Sequence, residues 1–281
     1  MELLYHKLNV FGLCKAIYLL FGGIMLLLAV ASLSIRRKWT TRSIQIVNFF
    51  IVGGFLYHLF GLGLRWRMAG YAPLSNLYET MVFVSLVSLL AGILFYRHSK
   101  IVYALAVLFG GVILFVSGLS RMDPEIGLLV PALNSPWLLF HVAVILISYG
   151  FFGVSFLLGL TNLILLWVNK QKGNEIILLR VRKLSIINEM SLWIGLSFLT
   201  VGTFLGAVWA DQSWGRYWGW DPKETWALIT IIAYTVVTHL SFVNKKERLT
   251  WLNAGAIIAF ICVLMTYFGV TYLFNGMHSY G

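Results

Sequence analysis

The chain is poor in charge. Only 11% of its 281 residues are Asp, Glu, Lys or Arg, against 60% that are hydrophobic, a balance that excludes an ordinary soluble domain of this length. Acids are scarcer than bases, 10 against 21. Cysteine is scarcer still: Cys14 and Cys262 sit in separate apolar runs and form neither CxxC nor CxxCH. That excludes a thiol–disulfide relay and a covalently attached heme of the chain's own, and both cysteines read as small buried packing residues. HExxH, GxSxG, a phosphate-cradling P-loop and a carboxylate-rich metal cluster are all missing, which removes the usual metallopeptidase, hydrolase and nucleotide chemistries.

Long apolar runs are abundant instead. A hydrocarbon core of about 30 Å needs roughly 20 apolar helical residues, and that template fits about eight times, at 14–33, 44–64, 78–96, 101–120, 137–168, 191–210, 224–243 and 251–274. The expected fold is an all-α polytopic membrane protein, a single transmembrane domain over residues 1–281. The first run is followed by strongly basic residues and exceeds a typical signal-peptide core, so it reads as a retained span. The connections after spans one, three, five and seven hold 14 of the 21 basic residues, and the opposite side holds 7 of the 10 acids. By the positive-inside rule both termini then face outward, and the net charge of +11 faces anionic cytoplasmic lipid rather than nucleic acid. Within the longest inner connection, about 170–190, apolar and basic residues suit an interfacial helix, with a solvated loop as the alternative.

One outward connection, 207–226, holds five tryptophans: Trp209, Trp214, Trp218, Trp220 and Trp226. Indoles clustered with glycine spacers suit a wide planar ligand or a membrane-interface shelf. Asp221, Pro222 and Glu224 fit the N-cap, N1 and N3 positions of the next helix, although with Asp211 they could also form a small acidic site. Two other outward segments look more than connective. In Tyr71-Ala-Pro-Leu-Ser-Asn-Leu-Tyr-Glu79, Ser75-Asn76 can cap a helix with Glu79 in its first turn. The proline-rich stretch from Asp123 to Trp137 leads to His141, one turn into span five.

The histidines are informative through their depth. His141 and His278 both lie near the outer interface, beside the tryptophans, and two neutral imidazoles flanking one cavity are what six-coordinate heme iron requires. A lone interfacial hydrogen-bonding role is the plainer reading for each. His239 lies about fifteen residues into span seven, towards the inner side, where an ionisable residue is costly and points to function. His58 lies in the outer half of span two, on the order of 15 Å away in depth, so a shared iron is not expected; it reads equally as a packed, hydrogen-bonded residue. No helix carries two histidines 13 or 14 residues apart, which argues against an electron-transfer diheme bundle.

The run Trp214-Gly-Arg-Tyr-Trp218-Gly-Trp220-Asp221-Pro-Lys-Glu-Thr-Trp226 resembles the WWD signature of heme-handling proteins of cytochrome c biogenesis. The surrounding chain, about 55–281, is similar to the CcsA/ResC family, the system II cytochrome c synthase component. The match includes Arg65-Trp66, Asn76-Leu-Tyr-Glu79, the stretch from Pro131 to His141, Gly206-Ala-Val-Trp209 and the terminal Asn275-Gly-Met-His278.

The resemblance implies heme b as ligand and substrate, with His141 and His278 as iron ligands at the outer face and His239 as an iron ligand within the membrane. It implies Trp214, Trp218, Trp220 and Asp221 as the orienting platform, with Trp209, Trp226 and Arg216 binding heme alongside. Arg216 and Lys223, and also Arg65, Arg67 and Arg121, could pair with heme propionates, or merely snorkel to the interface. The implied partners are a CcsB/ResB-type membrane protein, an apocytochrome c bearing CxxCH, and membrane lipid. The implied setting is a bacterial inner membrane in preference to a thylakoid. Two competing readings are a heme exporter that hands its cargo to a separate chaperone, and a solute transporter with an interfacial tryptophan belt.

Overall fold

A chain in hydrocarbon must satisfy each backbone N–H and C=O from within, so runs of Leu, Ile, Val and Phe with few breakers become helices. The computed structural model describes residues 5, 7–33, 38–119, 122–127, 129, 135–243, 247–274 and 276, without the side chains of 172 and 240–243. Among these residues there are eight long helices and no strand: α1 (Val10–Ala31), α2 (Lys38–Ala69), α3 (Leu77–Phe95), α4 (Lys100–Ser117), α5 (Pro136–Lys172), α6 (Glu175–Trp214), α7 (Pro222–Val243) and α8 (Arg248–Leu264). The last continues through a π-helical turn, Met265–Gly269, into a final turn, Val270–Leu273. Seven of the helices are long and apolar enough to cross a membrane. The other, α7, has 22 residues and measures about 33 Å at 1.5 Å per residue. The all-α polytopic fold expected from the sequence is the one observed.

The largest departure from the sequence reading is α6. The basic segment at about 170–190 is neither a solvated loop nor a separate interfacial helix. From Glu175 it is the first part of one 40-residue helix, about 60 Å long and so about twice the hydrocarbon thickness. No glycine or proline occurs between Glu175 and Trp193, so nothing interrupts the hydrogen-bond ladder before the apolar run begins. Asn174 starts this helix, its side chain accepting from Ile176 N at 2.9 Å.

The chain forms two compact units, residues 1–129 and 130–281. In the first, α1 packs on α2 and α4, and α3 on α4. Lipid tails give helices no hydrophobic reason to associate, so close packing and interhelical hydrogen bonds must do it. The Tyr18 hydroxyl reaches Gly54 O and His58 Nδ1, both at 3.1 Å, and Ser85 Oγ donates to Gly110 O at 2.8 Å. His58 is fully buried, with the edge of Phe11 against it at 5.4 Å. Of its two sequence readings, the structure shows the packed, hydrogen-bonded one.

In the second unit α5 and α6 form a long antiparallel hairpin, and α8 packs on α5 and α7. A buried polar cluster ties α5, α6 and α8 together. Asn253 Oδ1 accepts from Asn162 Nδ2 and Asn188 Nδ2, each at 2.8 Å, and Asn253 Nδ2 donates to Ser185 Oγ at 2.9 Å. Ser155 Oγ donates to Asn188 Oδ1. Such side chains fix the register of three helices that apolar contacts alone would let slide.

Candidate functional site

The tryptophan segment is built on two helix ends. Helix α6 continues through Trp209 and Trp214, so the outward loop expected over 207–226 is in fact only 215–221. Nothing before Gly215 breaks the helix. Gly215 ends it with φ +70, a left-handed cap that glycine adopts without steric cost, and its N–H reaches Asp211 O at 2.8 Å. Trp209 is fully buried, and Trp214 packs edge-on against it at 4.7 Å.

His141, one turn into α5, stacks parallel to Trp209, with centroids 6.4 Å apart and planes 8° apart. Its Nδ1 lies 2.7 Å from Gly202 O. A carbonyl only accepts, so Nδ1 carries the proton and the lone pair resides on Nε2, the arrangement of a metal-ligating imidazole oriented by its other nitrogen. Helix α6 approaches closely enough for this because residue 206 is glycine: a Cβ there would collide with the imidazole ring.

Within the short loop, Trp218 and Trp220 meet edge to face at 5.7 Å and 89°. Trp220 is 70% exposed and takes φ +56, a left-handed conformation that costs a bulky residue about 1–2 kcal/mol. Glu224 holds it there. Its Oε2 accepts from Gly219 N at 2.8 Å and from Asp221 N at 3.1 Å, the two N–H groups that flank Trp220. Asp221 Oδ1 accepts in turn from Lys223 N at 3.0 Å, so Asp221, Pro222 and Glu224 form the capping box read from the sequence. Trp226 lies half-buried in the first turns of α7, its carbonyl accepting from Thr230 Oγ1 at 2.7 Å. Arg216 is exposed on the loop and packs over Gly219.

Asp221 is itself buried. A Cβ on Gly276 would stand 2.5 Å from Asp221 Oδ2, so the chain passes directly over this carboxylate near its end. His278 and Arg121, both singled out from sequence, lie outside the described residues, as does the stretch 130–134.

His239 is exposed on α7, with Nδ1 2.8 Å from Thr235 O, so the same argument leaves its lone pair on Nε2. Arg65 departs from its suggested pairing with a propionate. It is buried, donates from Nε to Glu79 Oε1 at 2.7 Å, from Nη1 to Pro124 O and Tyr5 Oη, and from Nη2 to Glu125 O. Glu79 also accepts from Ser75 N and Oγ at 2.8 and 2.7 Å, while its own N–H is capped by Asn76 at 2.9 Å. The pair therefore ties together the loops of the first unit. Arg67 is exposed. Sequence reasoning passed over Gly202 and named Gly206 only within the family match, although their four-residue spacing on an apolar helix signals close approach of a neighbour. It also missed the clamp that Glu224 forms around Trp220.

A family model described as Cytochrome C assembly protein matches residues 74–278. Protein NrfI of Wolinella succinogenes is 41% identical over 281 residues, an alignment that takes in 99% of this chain and 31% of that protein. The cytochrome c biogenesis protein CcsA of Trieres chinensis is 30% identical over 304 residues, covering 94% of this chain and 95% of that one. CcsA of Arabidopsis thaliana is 32% identical, with 84% of each covered. Among solved structures, Cytochrome c Heme Lyase CcmF shares the fold, with a TM-score of 0.65 at 18% identity over 96% of this chain and 47% of that one. The chain thus spans about a third of NrfI and about half of CcmF, but nearly the whole of the Trieres relative. With a family match over most of its length and CcsA relatives aligned almost end to end, this multi-pass membrane chain belongs to the cytochrome c assembly protein family and to the machinery of cytochrome c biogenesis.

Proposed function

We propose that the chain binds heme b within a bacterial inner membrane, presents it at the outer face and, with a CcsB/ResB-type partner, supports its attachment to the CxxCH motif of apocytochrome c. The observation that carries this reading is the stack of His141 on buried Trp209, with Nδ1 tied to Gly202 O at 2.7 Å, beside a capped loop that displays Trp220. The imidazole is held in one tautomer and one orientation, and the indoles of the loop offer flat apolar faces to a porphyrin. His278 supplies the second outer ligand and His239 an inner one.

Heme is substrate here. Each cysteine thiol adds across one vinyl group, sulfur bonding to one vinyl carbon and hydrogen to the other. The chain's own contribution is orientation: Trp214, Trp218 and Trp220 hold the macrocycle so that its vinyl edge meets the incoming cysteines. Asp221 fixes the loop on which Trp218 and Trp220 stand, Trp226 closes it at the start of α7, and Arg216 pairs with a propionate. Both termini and the loop 215–221 face outward in this reading, because the basic residues concentrate on the other side.

The protein purified with its partner is expected to show a low-spin bis-histidine heme spectrum that weakens in His141→Ala and in His278→Ala. An unchanged spectrum in the double variant overturns the outer-site assignment. Adding an apocytochrome with a CxxCH motif and assaying covalent heme separates attachment from export: heme release without thioether formation supports the exporter reading.

A further inference from the structure

Beside the inner histidine stands a residue outside every motif named so far. Trp193, on α6, lies against His239 with ring centroids 6.4 Å apart and planes inclined at 62°. It is 39% exposed, and His239 is exposed with it. Counted at 1.5 Å per residue, His239 stands about 26 Å from the outer start of α7 and Trp193 about 32 Å from the outer end of α6. The two therefore lie at similar depth, near the inner limit of a hydrocarbon about 30 Å thick. Among the described residues neither Trp193 Nε1 nor His239 Nε2 has a hydrogen-bond partner. The exposed indole and the exposed imidazole side by side offer a flat apolar face and a nitrogen lone pair to one occupant.

We infer that Trp193 is this chain's own wall of the heme site at His239, a positioning residue packed along the macrocycle. The inference rests on the reading of His239 as an iron ligand. The geometry favours it for a simple reason. An iron bound at Nε2 lies in the imidazole plane, and the porphyrin stands perpendicular to the Fe–N bond, hence perpendicular to that plane. An indole parallel to His239 would stand edge-on to the macrocycle. One inclined at 62° to the imidazole, as here, can turn its face along the porphyrin.

The test uses the full chain with its partner in a His141→Ala background, so that bound heme reports on the inner site, and titrates hemin into the apoprotein. Trp193→Ala is expected to weaken heme binding about 10-fold or more, the loss of one flat apolar contact, and to lower the reduction potential of the heme that remains as water gains access. Trp193→Phe keeps a flat face and is expected to restore most of both. If the alanine variant does not accumulate, Trp193→Leu keeps apolar bulk without the flat face and is expected to behave like it. Wild-type affinity and potential in Trp193→Ala or Trp193→Leu overturn the proposal and leave Trp193 as an interfacial anchor. Retention of heme in His239→Ala overturns the ligand reading on which it rests, a separate and distinguishable outcome.

Discussion

Replacing Glu224 should disturb the outer site without unfolding the membrane helices. Its carboxylate accepts from the N–H groups on either side of Trp220, at 2.8 and 3.1 Å. Hydrogen bonds to a charged acceptor contribute about 1.5 kcal/mol each at the low end, so the clamp supplies about 3 kcal/mol. The left-handed backbone at Trp220, φ +56, costs about 1–2 kcal/mol. With the clamp the observed loop is favoured by about 1–2 kcal/mol, and in Glu224→Ala the sign reverses. Trp220 should then leave its displayed position in most molecules, which a rise in proteolysis across 215–221 and a loss of outer-site heme absorbance would report. Glu224→Gln keeps a carbonyl acceptor and should fall between the two. Trp220→Gly removes the strain and the indole together, so the loop should resist protease at least as well as wild type while binding heme poorly. A Glu224→Ala protein with wild-type protease resistance and heme absorbance refutes the reasoning.

Two further substitutions probe other contacts. Gly206→Ala places a Cβ in the His141 ring, so its heme spectrum should resemble that of His141→Ala; an intact low-spin spectrum would show that α6 yields and that the close approach is not needed. Arg65→Met leaves the buried Glu79 carboxylate without its partner, a loss of about 3–5 kcal/mol that thermal denaturation in detergent should register. Adding Glu79→Leu should recover part of it, and equal stability of the single and double variants would count against a coupled pair.

The sequence was most legible where local chemistry decides. Asp221-Pro222-Lys-Glu224 announces a helix start, and the capping bonds are present. Asn76 caps Glu79 N as its position before an apolar run suggests. Hydropathy located the helices but not their ends, because α6 gains length from a charged, amphipathic stretch that no apolar window detects. Contacts between distant residues were illegible for a different reason. Arg65 and Glu79 are 14 residues apart on two helices, and only their packing reveals that the guanidinium is already spent. Likewise, nothing local in Trp209 distinguishes a buried stacking partner from an exposed shelf. His141 decides it, through a helix 61 residues away from its hydrogen-bonding carbonyl.

That difference changes what the five tryptophans mean. On sequence they are one cluster with one purpose. In the structure Trp209 and Trp214 belong to the end of α6, where they brace His141, while Trp218 and Trp220 stand on a connector spanning only 215–221. A connector that short, closed by a glycine cap on one side and a carboxylate clamp on the other, has few conformations to lose when a ligand binds. The strain at Trp220 is then offset in advance by Glu224 rather than at the moment of binding. An interfacial belt needs neither device, since a tryptophan anchored in headgroups works in any backbone conformation that reaches them. The proposed platform, which must set a porphyrin edge against two cysteines, needs both.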